Sequence, residues 1–208
     1  MKKLTLSLLA GAAISISFNV FTQDIIKLSL EQAQAGNFEQ AKEIIEDAAI
    51  NGDPEAQLWL SRFYRDSNAL NQLQIGEKWL IKAANNGHPM AQYDYAWDLS
   101  AGWIKAPIER IIKMIYWFEK AGHNGIVEAY GNLSALYDNK PRDVLTEMEA
   151  EANKGNAMAQ FNMGWINARG LLSEGSLMQN EDVANEWFKR AAEQGFKDAI
   201  GVLDRHLP

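Results

Sequence analysis

The chain has 208 residues, 47% of them hydrophobic, with 20 basic against 27 acidic side chains and a net charge of −7. That much apolar material supports a sizeable core and excludes a disordered chain, and the acidic balance argues against nucleic acid or an anionic lipid surface as partner. With no Cys, disulfides, thiol catalysis, thiolate metal sites and lipid attachment at a cysteine are ruled out.

The chain starts Met1-Lys2-Lys3, continues through an uncharged run from Leu4 to Phe18, and reaches its first acid at Asp24. A basic start, an apolar stretch and a polar exit are the layout of a secretory signal peptide. The apolar run falls short of the ~20 residues that a membrane-spanning helix needs. Residues 1–23 are therefore expected to be a leader, with no sharply defined cleavage point, and the mature protein to be periplasmic or secreted without stable membrane insertion. Losing Lys2 and Lys3 leaves 18 basic against 27 acidic residues, or −9.

Residues 24–208 read as one repeat domain. A Gly followed four residues later by Ala recurs at Gly52/Ala56, Gly87/Ala91, Gly125/Ala129, Gly155/Ala159 and Gly195/Ala199, with Gly-to-Gly steps of 35, 38, 30 and 40 residues. Steps of this size mark stacked supersecondary units. Eight residues before the Gly stands Trp79, Trp117 or Trp187, and four after each Trp comes Ala83, Ala121 or Ala191. Trp and Ala at that spacing share one helix face, and the Ala lets a neighbouring helix approach. The Gly then ends the helix, and Gly52-Asp53-Pro54-Glu55 starts the next with a capping acid and a first-turn Pro. Gly87-His88-Pro89-Met90 repeats that device.

In the helix after each Gly, Leu60, Tyr95, Leu133 and Met163 stand four residues beyond the Ala, and the small residues Ser61, Ala96, Ser134 and Gly164 stand five beyond it. Together with the Ala, the first set forms a buried stripe. The unit before Gly155 departs from the pattern, with Glu147 in the Trp column, and is expected to be the least well packed. Gly102–Pro107 and Gly170–Asn180 read as loops, and no alternating pattern argues for strands. The fold expected is all-α, a solenoid of stacked antiparallel helix pairs in a right-handed superhelix.

Three stretches carry a family resemblance: Ala159-Gln-Phe-Asn-Met163-Gly164 through Trp187-Phe188-Lys189-Arg190-Ala191-Ala192 to Gly195; Trp79-Leu-Ile-Lys82-Ala83-Ala84; and Trp117-Phe-Glu-Lys120-Ala121. In register they resemble the Sel1-like repeat, a relative of the tetratricopeptide repeat. The opening piece from Gly36 to Ala49 looks more like a tetratricopeptide helix and is placed as a cap. The resemblance implies a scaffold or docking platform. It also permits a periplasmic immunity protein that neutralises a toxic secreted effector.

In helix-pair solenoids the first helix of each pair lines the concave side. Positions two and six beyond the Ala lie about 200° round the helix from it. They hold Leu58 and Arg62, Tyr93 and Trp97, Gly131 and Ala135, Phe161 and Trp165. Tyr93, Trp97, Phe161 and Trp165, with Arg62 and Arg169 as charged neighbours, are the candidate partner-binding residues, since aromatic anchors in a groove carry binding energy. Packing against neighbouring helices is the competing reading of the four aromatics. Trp79, Trp117 and Trp187 are assigned to the core.

The three His residues are scattered, without a second ligand at metal spacing. Glu147, Glu149 and Glu151 alternate along the chain and do not converge on one helix face. No nucleophile elbow or phosphate-binding loop is present. The expected function is non-catalytic binding of a protein or peptide, without cofactor or metal, the acidic surface favouring a basic partner such as a toxin. A cell-wall-acting enzyme is the rival class.

Overall fold

The computed structural model describes residues 23–66, 70–138, 143–170 and 179–206. The expected leader up to residue 22, and residues 171–178 of the Gly170–Asn180 loop, lie outside the described residues. Every regular element among the described residues is helical. In chain order they are α1 (23–34), α2 (Phe38–Ile50), α3 (Pro54–Asp66), α4 (Leu70–Asn85), α5 (Pro89–Ser100), α6 (Ile108–His123), α7 (Glu128–Tyr137), α8 (Val144–Asn153), α9 (Ala157–Arg169), α10 (Glu181–Glu193) and α11 (Lys197–His206), with a 3-10 turn at Trp103–Lys105 before α6. The all-α expectation holds. Where the sequence suggests one continuous domain, the chain falls into two compact units, one ending at Ala91 and the other beginning at Gln92.

The repeated Gly residues end helices as expected. Gly87 has φ +91°, a conformation that costs Gly little and other residues much. Its N–H donates to the Ala84 carbonyl at 3.1 Å, and the His88 N–H donates to Ala83 at 3.0 Å, which satisfies two carbonyls at the end of α4. The next helices are capped by side chains. Asp53 Oδ1 accepts from the Ala56 N–H at 2.9 Å, and His88 Nδ1 accepts from the Ala91 N–H at 3.2 Å. That bond leaves His88 Nε2 to donate to Glu55, 2.6 Å away, so this turn histidine is a structural clasp.

In the first unit, α2 packs on α3 and α3 on α4. Ile26, Ile45, Ala49, Ala56 and Leu60 form the core, with Trp59, Phe63, Tyr64 and Trp79 against it. Trp79 is only half-buried; its neighbour Leu80 is fully buried, and Lys82 Nζ lies 4.1 Å from the Trp79 ring centroid. Trp117 and Trp187, in the second unit, are buried as expected.

In the second unit, α6 packs on α7, α8 and α9, and α10 on α9 and α11. Helices approach closely where the sequence places small residues. A Cβ on Gly164 would stand 2.4 Å from the Phe188 ring, and one on Gly122 would stand 2.4 Å from Tyr130. In the repeat that lacks its Trp, α8 buries Val144, Met148 and Ala152 instead, so Met148 fills the place one residue beyond Glu147.

Candidate functional site

Helix α5 places Tyr93 and Trp97 on one side and Tyr95 on the other, so its apolar surface is too broad for one neighbour to cover. Tyr95 is buried, with its ring 5.6 Å from Trp117. Tyr93 is half-buried, 5.7 Å from Phe118, and its hydroxyl accepts from Asn132 Nδ2 at 3.1 Å. Trp97 remains 50% exposed. It meets Tyr93 at 6.3 Å and Phe118 at 6.2 Å, edge to face. Beside it lies a depression of about 190 Å³ lined by Ser100, Trp103, Met114, Phe118 and Leu136. A rigid indole held by two rings and bordered by an apolar hollow is the form of a protein-binding anchor.

Helix α9 departs from the sequence expectation. Phe161 is 4% exposed and packs against the rings of Tyr116, Phe188 and Phe196. Its placement on an open face is corrected, because α6, α8 and α10 all pack around α9 and leave it little free surface. Leu58, the equivalent position in α3, is also buried. Trp165 is half-buried, with its ring 3.9 Å from His123 and 5.1 Å from Phe188.

Around Trp165 lies a polar cluster that the spacing argument misses. Glu119 on α6 is fully buried, and its Oε2 accepts a charge-assisted hydrogen bond from Arg169 at the end of α9. The Arg169 guanidinium lies 4.1 Å from the Tyr130 ring centroid and 5.2 Å from that of Trp165. Glu119 Oε1 and Arg169 Nη1 are buried with no hydrogen-bond partner among the described residues. Burial pushes the Glu119 carboxyl up to about 7, against the opposing pull of Arg169. His123 donates from Nδ1 to the Glu119 carbonyl at 2.8 Å. Desolvation holds the imidazole below its usual 6.5; that hydrogen bond opposes the shift, and the charges of Arg169 and Arg205 add to it. A signal for Glu119 exists in the sequence, since Ile111, Ile115 and Glu119 recur at helical spacing on one stripe.

Arg62, in the first unit, is half-buried with its guanidinium 5.2 Å from the Trp59 ring centroid. It borders a groove of about 450 Å³ that also involves Leu30, Phe38, Phe63 and Tyr64. The six candidates are therefore distributed: Arg62 at this groove, Tyr93 and Trp97 at the α5 hollow, and Phe161, Trp165 and Arg169 around the α6–α9 contact. No group of three His, Asp or Glu residues gathers at metal-binding distance among the described residues, and no described helix is long and apolar enough to cross a membrane.

The model of the Sel1 repeat matches residues 54–88, 115–126 and 157–196. No curated protein matches the chain. Similar solved structures include a Sel1 repeat protein from Oxalobacter formigenes, 22% identical with a TM-score of 0.48, the match covering 86% of this chain and 75% of that one. A protective antigen of uropathogenic Escherichia coli with an SLR fold is 21% identical with a TM-score of 0.35, covering 86% of this chain and 47% of that one. An immunity protein from Pseudomonas aeruginosa is 19% identical with a TM-score of 0.40, covering 86% and 67% respectively.

Proposed function

Because this chain is built from Sel1 repeats, helical scaffolds that typically hold other proteins, we propose that it is an exported, non-catalytic scaffold that binds a protein or peptide through the face bearing Trp97. The observation that carries this reading is the exposure of Trp97 itself. Large aromatic side chains are normally covered, and one left half in water beside an apolar hollow marks an interaction surface. Tyr93 and Phe118 fix the indole, so little side-chain entropy is lost when a partner covers it. The leader-like residues 1–23 support export and direct the search for a partner to the cell envelope and the secreted fraction.

The test is affinity capture from those fractions by the native protein and by Trp97→Ala in parallel. A hot-spot anchor of this kind is worth about 2 kcal/mol or more, which is roughly a thirtyfold loss of affinity. The expected result is a partner retained by the native chain and lost by the variant, with helical content and melting temperature unchanged. A partner held equally by both removes the α5 hollow from the reading. The captured protein's own activity separates an adaptor from an inhibitor of a secreted effector.

A further inference from the structure

Near the Glu119–Arg169 pair, α6, α9 and α11 border a further cleft of about 180 Å³, lined by Lys120, His123, Phe161, Trp165, Asp198 and Arg205 among others. Its floor is aromatic, with the Trp165 ring in tilted contact with His123, 3.9 Å between centroids. Its charges are unevenly matched. Asp198 Oδ2 is already engaged twice, accepting from the Tyr116 hydroxyl at 2.5 Å and from Lys120 Nζ at 2.9 Å. Arg169 is turned to Glu119, with which it pairs. Arg205 is exposed and donates from Nε to its own helix, to the Gly201 carbonyl at 2.9 Å; it has no acidic partner among the described residues. Within an acidic chain, this cleft carries one surplus positive charge above an aromatic floor. The cleft is smaller than the ~300 Å³ or more of a typical small-molecule site, which favours a single side chain over a free metabolite.

We propose that this cleft receives one acidic side chain of a polypeptide partner, its carboxylate drawn to Arg205 and its aliphatic stem lying on Trp165. The partner as a whole is neutral or basic, since the rest of the surface repels acidic proteins. The inference rests on the scaffold reading but not on the α5 hollow, and the two fail separately.

The experiment uses the full chain with ¹⁵N-labelled tryptophan, the Trp165 indole signal being assigned with Trp165→Phe. The probes are acetyl-Leu-Glu-Leu-amide and its Gln counterpart. The Glu peptide is expected to shift the Trp165 signal and to raise the His123 pKa, as an added anion must. The Gln peptide is expected to bind about tenfold more weakly, the worth of one charge-assisted contact. Arg205→Gln should erase that preference and Arg205→Lys retain it, while Trp97→Ala should leave it unchanged. Equal binding of the two peptides, absence of any Trp165 shift, or a preference that survives Arg205→Gln would each overturn the proposal. A preference lost in Trp97→Ala instead would move the carboxylate to the α5 hollow and overturn it as well.

Discussion

Glu119 and Arg169 depend on each other because both are withdrawn from water. A buried carboxylate is tolerated only while a cation or a proton neutralises it. The folded-state pKa of about 7 lies above the unfolded value of 4.5. Glu119 therefore contributes its full stability below pH 4.5 and loses it as pH rises through 7, when the ionised form relies on Arg169. His123 works in the other sense: its pKa is lowered, so its contribution is present above 6.5 and is lost as pH falls below that value. Arg169→Met should cost about 3–5 kcal/mol at pH 8, where a carboxylate is left without its counter-charge. The cost should be clearly smaller at pH 5, where Glu119 is protonated. Urea denaturation at the two pH values reads the difference, and equal costs would mean that Arg169 acts through its stacking on Tyr130 and Trp165 alone.

Helix contacts depend on where a Cβ has no room. Gly164 on α9 faces the Phe188 ring of α10, with three ring atoms within 2.8 Å of an added Cβ. Gly164→Ala should cost about 1–3 kcal/mol through forced displacement. Gly131 on α7 is exposed, and an added Cβ meets nothing within 4 Å, so Gly131→Ala should stabilise by about 0.4–1 kcal/mol. Opposite shifts in melting temperature check the pair. At this scale the sequence is most readable, because the Gly–Ala and Trp–Ala spacings are set by helix geometry that every repeat must satisfy. The positions Ala56, Ala91, Ala129, Ala159 and Ala199 are all fully buried. The exposure of the aromatics was less readable. A 3.6-residue period gives a direction around a helix but not the number of neighbours there, so Trp97 and Phe161 occupy near-equivalent faces with opposite burial. Arg169 could be named from its place near Trp165. Its buried partner Glu119 carried only the weaker signal of continuing the Ile111–Ile115 stripe, because an acid in the run Trp117-Phe118-Glu119-Lys120 otherwise reads as solvated until the packed helices are seen.

For the whole molecule, charge and address are linked. The chain carries a net charge of −7, and removing Lys2 and Lys3 with the proposed leader would deepen it to −9, a balance that in general speeds association with basic proteins. The proposed export rests on the run from Leu4 to Phe18, which is shorter than a spanning helix requires, and cleavage of the leader is what tests it. Expression of the full chain in a bacterium, followed by fractionation and mass measurement, should give a periplasmic or secreted species lacking the first residues up to about residue 23. A variant without residues 1–22 should stay in the cytoplasm and give the same helical circular-dichroism spectrum, since the described helices bury their apolar faces against one another without that segment. A full-length mass recovered with the membrane would mean that the segment is kept as an anchor. The scaffold would then present its Trp97 face from the membrane surface, and its partner would have to be sought among envelope proteins alone.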